Sequence, residues 1–304
     1  GVIMGTLLEA HGTDEQKKKY ITGLATGTVL PAAAFTEPDS GSDSASMIMK
    51  ATKTDGGYLL NGAKACCTYA NRANVLMVLA RTNPDTSLRH KGLSMFFVEK
   101  ESAEKIVHPN IKGEPIPTVG YHGMRSFNLA FEDVFVPEDR YLPGAKGLGG
   151  PFSCLNRARY GIAWGSLGSA QACFDAAKKY SLERIQFDHP IAAFQLIQMK
   201  LATMLREITK GQLLAYHLGR KIDEDNWIPE FVSLAKMNNV DIALDIARVA
   251  RDIHGANGVT SEYPIMRHMN NLESVKTYEG THDIHNLILA RHITGIQSFT
   301  RNLK

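Results

Sequence analysis

The chain has 304 residues, 44% of them hydrophobic, and a formal net charge of +3. This length suits one large domain or two to three ordinary ones. Basic and acidic residues are interspersed, which argues against a nucleic-acid partner, and no segment approaches the roughly 20 apolar residues of a membrane helix. We therefore expect neither nucleic-acid binding nor membrane insertion. Residues 1–30 lack the signal-peptide pattern, so nothing argues for export.

Cysteine and histidine spacing predicts no metal site. The four cysteines are Cys66, Cys67, Cys154 and Cys173. Cys66 and Cys67 are adjacent, which is poor geometry for shared zinc ligation or an ordinary disulfide, so we interpret all four as reduced intracellular thiols. His282, Asp283 and His285 offer ligands from one helical turn, yet no further ligand follows at a metal-site spacing. A solvated helix face is the better interpretation.

The first thirty residues predict helices. Residues 1–4 are apolar and resemble the inside of a helix, so we expect further sequence before them. Thr13 then fits the N-cap of a short helix that runs through Leu24, with Glu15 in its first turn. The pattern changes after Pro31.

Residues 32–137 have the periodicity of strands. The strand-like runs cover 58–60, 75–80, 93–98 and 127–131. The Asp-Gly-Gly segment at 55–57 is a hairpin signal. No long helical pattern interrupts these runs, so we predict an antiparallel sheet or barrel over 30–140, with a ligand against its loops or one face.

The last part of the chain predicts helices. Glycines and prolines between 141 and 151 indicate a linker, after which apolar residues recur at helical spacing. The predicted helices cover 155–184, 194–220, 229–254 and 281–301. This arrangement favours an antiparallel four-helix bundle over 141–304.

Glu279 is a candidate base. It lies before Gly280 and a helix for which Thr281 is a plausible N-cap, and Asp283 suits the positive end of that helix. A carboxylate fixed at such a turn can act as a base on a bound ligand if the site is dry enough to raise its pKa. The alternative, from this segment alone, is a solvated turn glutamate.

Two distant motifs carry a family resemblance. They are Phe-Thr-Glu-Pro-Asp-Ser-Gly-Ser-Asp at 35–43 and Tyr-Glu-Gly-Thr at 278–281. With the order helix, β domain, helix bundle, they closely resemble the acyl-CoA dehydrogenase family of flavoproteins. In the C-terminal half, the segments 156–165, 243–248 and 280–285 look most like glutaryl-CoA dehydrogenase.

The resemblance implies an α+β fold with three parts. Residues 1–29 would be the remnant of an N-terminal helical domain that is mostly missing, 30–140 the middle β domain, and 141–304 the four-helix domain. In glutaryl-CoA dehydrogenases, the arginine that pairs with the distal carboxylate of the substrate lies just upstream of where residue 1 falls. We therefore expect the residue that decides substrate specificity to lie outside this sequence.

The resemblance implies FAD as cofactor. In this family the Thr-Glu-Pro backbone lies along the flavin, which assigns Phe35, Thr36 and Ser42, and Thr68 matches the threonine near flavin N5. Cys66 departs from the pattern, because the family usually has a tryptophan there beside the flavin. We interpret Cys66 as a small space-filling residue.

A second set of residues implies an oligomer. Arg184 matches the arginine that reaches the FAD pyrophosphate of a neighbouring subunit, and Gln195, Asp252 and Gly255 match the same site, which implies a homotetramer. The alternative for Arg184 is a helix-end cation. The full set assigned to FAD is Phe35, Thr36, Ser42, Thr68, Arg184, Gln195, Asp252, Gly255, Thr281 and Asp283.

The implied reaction is α,β-dehydrogenation of an acyl-CoA thioester. Glu279 would remove a proton from Cα while Cβ delivers a hydride to the flavin, which passes its electrons to an electron-transfer flavoprotein. A glutaryl substrate would also release CO2 and give crotonyl-CoA. The residues assigned to the substrate are Ser42, Asn156, Arg159, Tyr278 and Gly280. Arg159 also suits a structural ion pair, and Tyr278 a buried core position.

Alternatives remain within and outside this chemistry. One is a dehydrogenase for short-chain, branched-chain or methylsuccinyl-CoA substrates, because the β domain looks less like the glutaryl branch than the bundle does. Another is an oxidase, and a third is a non-catalytic flavin- or CoA-binding relative. The expected compartment is the bacterial cytoplasm or the mitochondrial matrix.

Overall fold

A computed structural model of the protein describes residues 1–100 and 108–298. The chain divides into two compact units. We call Gly1–Thr118 with His122–Arg157 the sheet unit, and Val119–Tyr121 with Ala158–Lys304 the helical unit. None of the helices in the described ranges combines the length and the apolar character needed to cross a membrane. The domain boundaries drawn from the sequence, after residues 29 and 140, remain predictions.

Two helices open the sheet unit, as predicted. Helix α1 spans Val2–His11 and α2 spans Asp14–Thr26. Thr13 Oγ1 accepts a hydrogen bond from Gln16 N at 3.3 Å, and Gln16 Oε1 accepts one from Thr13 N at 3.0 Å. This reciprocal capping box satisfies two amides at the start of α2. Gly27, in the left-handed conformation, ends the helix.

The described strands of the sheet unit form one eight-stranded sheet. Strands β1 to β8 span Pro31–Ala34, Lys50–Thr54, Gly57–Thr68, Val75–Arg81, Leu93–Glu99, Ile111–Pro115, Ser126–Pro137 and Tyr141–Lys146. Their order is β6-β7-β3-β2-β4-β5-β8, and β1 pairs with β4. The β domain is confirmed, but β1 and the first residue of β2 pair with β4 in parallel, so the sheet is mixed rather than antiparallel. Apolar alternation has the same period in both pairings and does not encode strand direction.

Strand β4 lies in the core on both of its faces. All seven of its residues are buried. Leu76 and Val78 belong to the cluster on one face, whereas Val75 and Met77 join Met4 of α1 on the other. Since successive side chains point to opposite faces, helices α1 and α2 provide the second cover that this strand requires.

The predicted linker at 141–151 is wrong. Tyr141–Lys146 forms β8 against β5, and the next helix begins at Gly149. Strand β8 stands at the end of the strand order, where the missing N–H of Pro143 removes no necessary ladder hydrogen bond. The Gly and Pro residues therefore marked an edge strand.

Five helices occur from residue 149 onward in the described part of the chain. Helices α3 to α7 span Gly149–Glu183, Gln195–Asp223, Pro229–Ile253, Ile265–Thr277 and His282–Thr294. The hairpin of β9 (Ile185–Gln186) and β10 (His189–Pro190) joins α3 to α4. The helical character of this region is confirmed.

Two details of the predicted bundle differ. Helix α6 was not predicted, because its buried stripe is narrow and consists of Ile265, Leu272 and Val275 in a segment whose other residues are mostly polar. Helix α7 ends at Thr294 rather than 301, since Gly295 takes a left-handed C-cap. The last predicted residues, 299–301, lie outside the described residues.

Candidate active site

The turn at Glu279 joins α6 to α7. Glu279 and Gly280 both have a left-handed backbone, with φ angles of 57° and 95°. A left-handed glutamate is unfavourable and persists only where the surroundings hold it. The predicted N-cap is confirmed, because Thr281 Oγ1 accepts a hydrogen bond from Ile284 N at 3.3 Å. The start of α7 thus fixes one side of the turn.

Gly280 is required at this turn for two reasons. Its φ angle suits glycine, and a Cβ at this position would lie 3.0 Å from His285 Nε2 and 3.4 Å from an Arg159 guanidinium nitrogen. Burial lowers the pKa of His285 to about 3, with the charges of Lys236 and Arg159 adding to the effect. A neutral imidazole therefore packs directly against the backbone beside Glu279.

The Glu279 side chain is half-buried, and one of its carboxylate oxygens is enclosed. Its Oε2 atom is inaccessible to solvent and has no hydrogen-bond partner in the described part of the chain. Burial raises the pKa of Glu279, while the charges of Arg159 and Lys236 act in the opposite direction. In contrast to the alternative of a solvated turn glutamate, at least one carboxylate oxygen is shielded from solvent. A carboxylate with a raised pKa and a free, enclosed oxygen is suited to accept a proton.

Two cations hold the backbone of this turn. Arg159 Nε donates to the Glu279 carbonyl oxygen at 2.7 Å. The Lys236 side chain is 1% exposed, and its Nζ donates to the Gly280 carbonyl at 2.9 Å and the Tyr278 carbonyl at 3.1 Å. Burial lowers the pKa of Lys236 to about 8. The cations bind peptide carbonyls here and leave Glu279 Oε2 available.

The first turn of α7 is tied to α5 through Asp241. Asp241 lies 2.8 Å from Lys276 Nζ and 3.1 Å from His282 Nε2. Asp283 is exposed. Within residues 1–100 and 108–298, no three histidine, cysteine, aspartate or glutamate side chains are arranged to hold a metal ion.

Tyr278 lies at the edge of the turn beside a second tyrosine. Its hydroxyl oxygen is 3.3 Å from that of Tyr121, and the ring centroids are 6.2 Å apart. Tyr121 is anchored to α6, because its amide donates to Asn271 Oδ1 at 2.7 Å. Tyr278 is 40% exposed and is therefore not a core tyrosine.

Phe35 and Thr36 follow β1 and lie against β3. The Phe35 carbonyl accepts a hydrogen bond from Lys64 Nζ at 3.0 Å, and the Thr36 carbonyl accepts one from Ala65 N at 2.8 Å. Lys64 is fully buried and also binds Glu37 Oε1 at 2.9 Å. Both carbonyls of the segment are therefore directed toward β3.

Thr68 ends β3, where its Oγ1 lies 3.0 Å from Ser126 Oγ. Cys66 is exposed with a left-handed φ of 56°. Its role as a small residue beside the flavin stays a prediction. Ser42 is exposed as well. None of the four cysteines, all within the described residues, is paired in a disulfide.

Another group of predicted residues occupies the far end of the helical unit. Arg184 follows α3, Gln195 begins α4, and Asp252 lies near the end of α5 before Gly255. Lys200 of α4 pairs with Asp252, which links two of these ends. Between Arg159 and the end of α3 the helix rises about 36 Å, so this group lies far from Glu279.

The predicted residues thus fall into three groups. Those in the sheet unit are Phe35, Thr36, Ser42, Thr68 and Asn156. Those on or next to the Glu279 turn are Arg159, Tyr278, Gly280, Thr281 and Asp283. Those at the far end are Arg184, Gln195, Asp252 and Gly255, and all four are exposed.

Both units match known family models. Residues 32–134 match the acyl-CoA dehydrogenase middle domain, and residues 145–294 match the acyl-CoA dehydrogenase C-terminal domain. The chain is 37% identical to an acyl-CoA dehydrogenase of Bacillus subtilis, over 93% of this chain and 73% of that protein. This chain belongs to the acyl-CoA dehydrogenase family.

Other relatives act on different acyl groups by name. The chain is 34% identical to the mitochondrial 2-methylacyl-CoA dehydrogenase of Solanum tuberosum, over 94% of this chain and 68% of that protein. A crystal structure of glutaryl-CoA dehydrogenase from Mycobacterium smegmatis superimposes with a TM-score of 0.91 at 42% identity, covering 99% of this chain and 74% of that one. The family is therefore clear, while the relatives differ in substrate.

Acyl-CoA dehydrogenases are FAD-dependent oxidoreductases that act on CH–CH bonds. A second mycobacterial glutaryl-CoA dehydrogenase structure, similar to this chain with a TM-score of 0.91, is in complex with FADH2. The sheet unit fits such a cofactor: Lys64 binds the Phe35 carbonyl and the Ala65 N–H binds the Thr36 carbonyl, while Thr36 and Thr68 supply hydroxyl groups. Cys66 offers no aromatic surface to it.

Sequence reasoning missed Lys236, Lys64, Glu37 and Tyr121. For Lys236 a signal was present: it lies four residues after Val232 and four before Val240, on the apolar face of α5. A lysine within a buried stripe needs hydrogen-bond acceptors nearby, so this pattern alone would have marked Lys236 as a candidate. The Lys64–Glu37 pair and the Tyr121–Tyr278 contact join distant segments without any sequence pattern.

Proposed function

We propose that this chain catalyses α,β-dehydrogenation of glutaryl-CoA, followed by decarboxylation to crotonyl-CoA. The observation that carries the proposal is the buried Oε2 of Glu279, which has no partner in the described part of the chain. Arg159 and Lys236 bind backbone carbonyls of the turn. Within the described residues, neither donates a hydrogen bond to Glu279 Oε2. Such a carboxylate favours a catalytic member of the family over a non-catalytic flavin- or CoA-binding relative.

Glu279 takes the proton from Cα of the substrate. The α-proton of a thioester is far less acidic than a carboxylic acid, so the chain must narrow the gap. Burial raises the pKa of Glu279, and entry of the acyl chain removes further water. The Glu279 N–H has no hydrogen-bond partner within the described residues and is free to donate to the thioester oxygen, where negative charge develops.

The other predicted residues position the reactants. FAD, when bound, accepts the hydride that leaves Cβ. Phe35, Thr36 and Thr68 hold the flavin at the sheet unit, and Tyr278 flanks the acyl chain. We propose Ser42 and Asn156 as contacts for the CoA arm and an electron-transfer flavoprotein as the electron acceptor.

The choice of glutaryl-CoA rests on similarity rather than on a carboxylate-binding residue within the chain. The 42% identity to a glutaryl-CoA dehydrogenase supports it. The similarity to a 2-methylacyl-CoA dehydrogenase supports the runner-up, a short-chain, branched-chain or methylsuccinyl-CoA dehydrogenase. Only a substrate with a γ-carboxylate can release CO2, so CO2 production separates these two proposals.

The far end of the helical unit supports a homotetramer. Arg184, Gln195 and Asp252 are exposed, and about 36 Å of helix separates this end from Arg159. We infer that these residues contact the FAD of a neighbouring subunit, with the guanidinium of Arg184 on its phosphates. The exposed side chains of Phe187, at 86%, and Leu196 provide apolar surface for such an interface. For the compartment we keep both the bacterial cytoplasm and the mitochondrial matrix.

An anaerobic titration tests the base. Glu279→Gln should bind glutaryl-CoA without bleaching the flavin absorbance, whereas the wild type bleaches. Glu273→Gln, on α6, changes an exposed glutamate that pairs with Arg248 and should behave as the wild type. Rapid bleaching of Glu279→Gln would contradict the assignment.

A substrate panel tests the acyl group. Glutaryl-CoA, butyryl-CoA and methylsuccinyl-CoA are compared in kcat/KM, with release of CO2 measured. The proposal requires glutaryl-CoA to be preferred and CO2 to appear in step with its turnover. Preference for another acyl-CoA, without CO2, would support the runner-up.

A further inference from the structure

Lys236 is a fully buried cation whose hydrogen-bond partners, within residues 1–100 and 108–298, are all peptide carbonyls. Its Nζ donates to the carbonyl oxygens of Gly280 at 2.9 Å, Tyr278 at 3.1 Å and Lys276 at 3.5 Å. Among the described residues it makes no hydrogen bond to a carboxylate. Burying an ammonium group is costly, and three bonds to carbonyl dipoles offset part of that cost.

The three carbonyls lie on both sides of Glu279. Those of Lys276 and Tyr278 belong to the C-terminal end of α6, where the helix dipole is negative and favours a cation. The carbonyl of Gly280 lies beyond the left-handed residues at 279 and 280. The Lys236 ammonium group therefore binds carbonyl oxygens on both sides of Glu279.

We propose that Lys236 is a positioning residue for the base, holding the left-handed turn at Glu279 and placing a positive charge behind its carboxylate. This inference rests on the proposed function of Glu279. Lys236 touches neither substrate nor cofactor in the proposed mechanism and acts through Glu279. It sets both where the carboxylate points and how readily it loses its proton.

The charge of Lys236 opposes the effect of burial. Burial raises the pKa of Glu279, and the charges of Arg159 and Lys236 hold that rise in check. The charged and titratable groups around the turn are Arg159 on α3, Lys236 and Asp241 on α5, Lys276 on α6, Tyr278 and Tyr121 at the turn, and His282 and His285 on α7. His285 is neutral and Asp241 is paired, so the two cations near Glu279 are Arg159 and Lys236. Removing Lys236 should therefore move the protonation of Glu279 to higher pH.

The test compares Lys236→Met and Lys236→Gln with the wild type in the FAD-loaded enzyme. Lys236→Met should lower kcat by about tenfold to a hundredfold, because a displaced base loses its alignment, with little change in KM. The acid limb of kcat/KM should move about one unit to higher pH. Lys236→Gln keeps N–H donors but lacks the charge, so it should shift the limb equally and lose less kcat. Because Lys236→Gln disturbs the packing less, it can still be measured if Lys236→Met does not fold.

Lys276→Met is the matched control. It removes a partly exposed cation from the same turn, so solvent screening should leave the acid limb in place. An unmoved acid limb and unchanged kcat in the Lys236 variants would overturn the inference, as would an equal shift in Lys276→Met. If the inference about Lys236 fails in this way but Glu279→Gln is inactive, the proposed function still stands. If Glu279→Gln is active, both the proposed function and the inference about Lys236 are overturned.

Discussion

Among the described residues, each unit has one lysine that is no more than 1% exposed, Lys64 in the sheet unit and Lys236 in the helical unit. Lys64 meets a carboxylate, Glu37, at 2.9 Å, and both oxygens of Glu37 also accept backbone N–H groups, from Ile48 at 2.7 Å and Met49 at 3.0 Å. Lys236 meets only carbonyls, as far as the described residues extend. The nearby carboxylate of Glu279 keeps one oxygen without a partner in that range.

The Lys64–Glu37 network has hydrogen-bond partners for both carboxylate oxygens, whereas the network around Lys236 and Glu279 leaves one carboxylate oxygen without a partner in the described residues. A buried network whose polar atoms are all satisfied is rigid, and losing one member is costly. The Lys64–Glu37 pair is of this kind and fixes the segment that carries Phe35. A carboxylate with a buried, unsatisfied oxygen costs stability, and that cost keeps Glu279 ready to accept a proton.

The largest expected effect tests the network around Lys236 and Glu279. Glu279→Gln should lower kcat/KM by about 10³-fold, since a positioned general base contributes about 10²–10⁴. The same change should raise the free energy of unfolding. Burial raises the pKa of Glu279 above 4.5, so the ionised group costs stability above that pH, and the gain from Gln grows as the pH rises. Urea unfolding at acidic and alkaline pH measures this gain.

A loss of stability in Glu279→Gln at alkaline pH would break the comparison. Glu37→Gln is the matched change in the Lys64–Glu37 network and should lower stability, because it leaves the buried Lys64 without an anionic partner.

The second prediction concerns Lys64. Lys64→Met should lower the free energy of unfolding by about 3–5 kcal/mol, because removal of one partner leaves a buried charge. Adding Glu37→Gln should recover most of the loss, since both charges are then gone while an amide oxygen still accepts the backbone N–H groups. Urea unfolding of the three variants checks this. A double variant no more stable than Lys64→Met would show that charge pairing is not the cause.

The third prediction compares the two threonine caps. Thr13→Ala and Thr281→Ala should each cost about 1 kcal/mol in the free energy of unfolding. Only Thr281→Ala should also lower kcat, because Thr281 adjoins the Glu279 turn while Thr13 closes a capping box in the sheet unit. Equal loss of kcat in both would mean that activity merely follows stability.

The smallest expected effect is at Tyr121. Tyr121→Phe removes one neutral hydrogen bond to Tyr278, which should lower kcat/KM by about threefold. The acid limb should not move, since no charge is lost. Tyr216→Phe, at an exposed position on α4, should change nothing and serves as control. A shifted limb in Tyr121→Phe would mean that Tyr121 affects the protonation of Glu279.

Sequence reasoning succeeded where the cause is local. The caps at Thr13 and Thr281 depend on residues within one turn, and both are confirmed. It failed where the cause is tertiary: the parallel pairing of β1 depends on which strand meets which, and the hold of Lys236 on the turn depends on α5 packing against it. Glu279 could be proposed from the sequence because its motif is contiguous. Arg159 was assigned from the family resemblance, whereas Lys236, the other cation that acts on the pKa of Glu279, was missed because it comes from another helix.

The left-handed backbone of Glu279 limits what can replace it. Aspartate and asparagine adopt this conformation more readily than glutamate, and glycine most readily of all. Each would relax the turn, yet aspartate would withdraw the carboxylate by one methylene, and the others would remove it. At position 279, the side-chain length that the carboxylate needs and the left-handed backbone conformation therefore favour different residues. A laboratory selection for heat resistance alone should replace Glu279 early, so thermostable variants of this enzyme need selection for turnover as well.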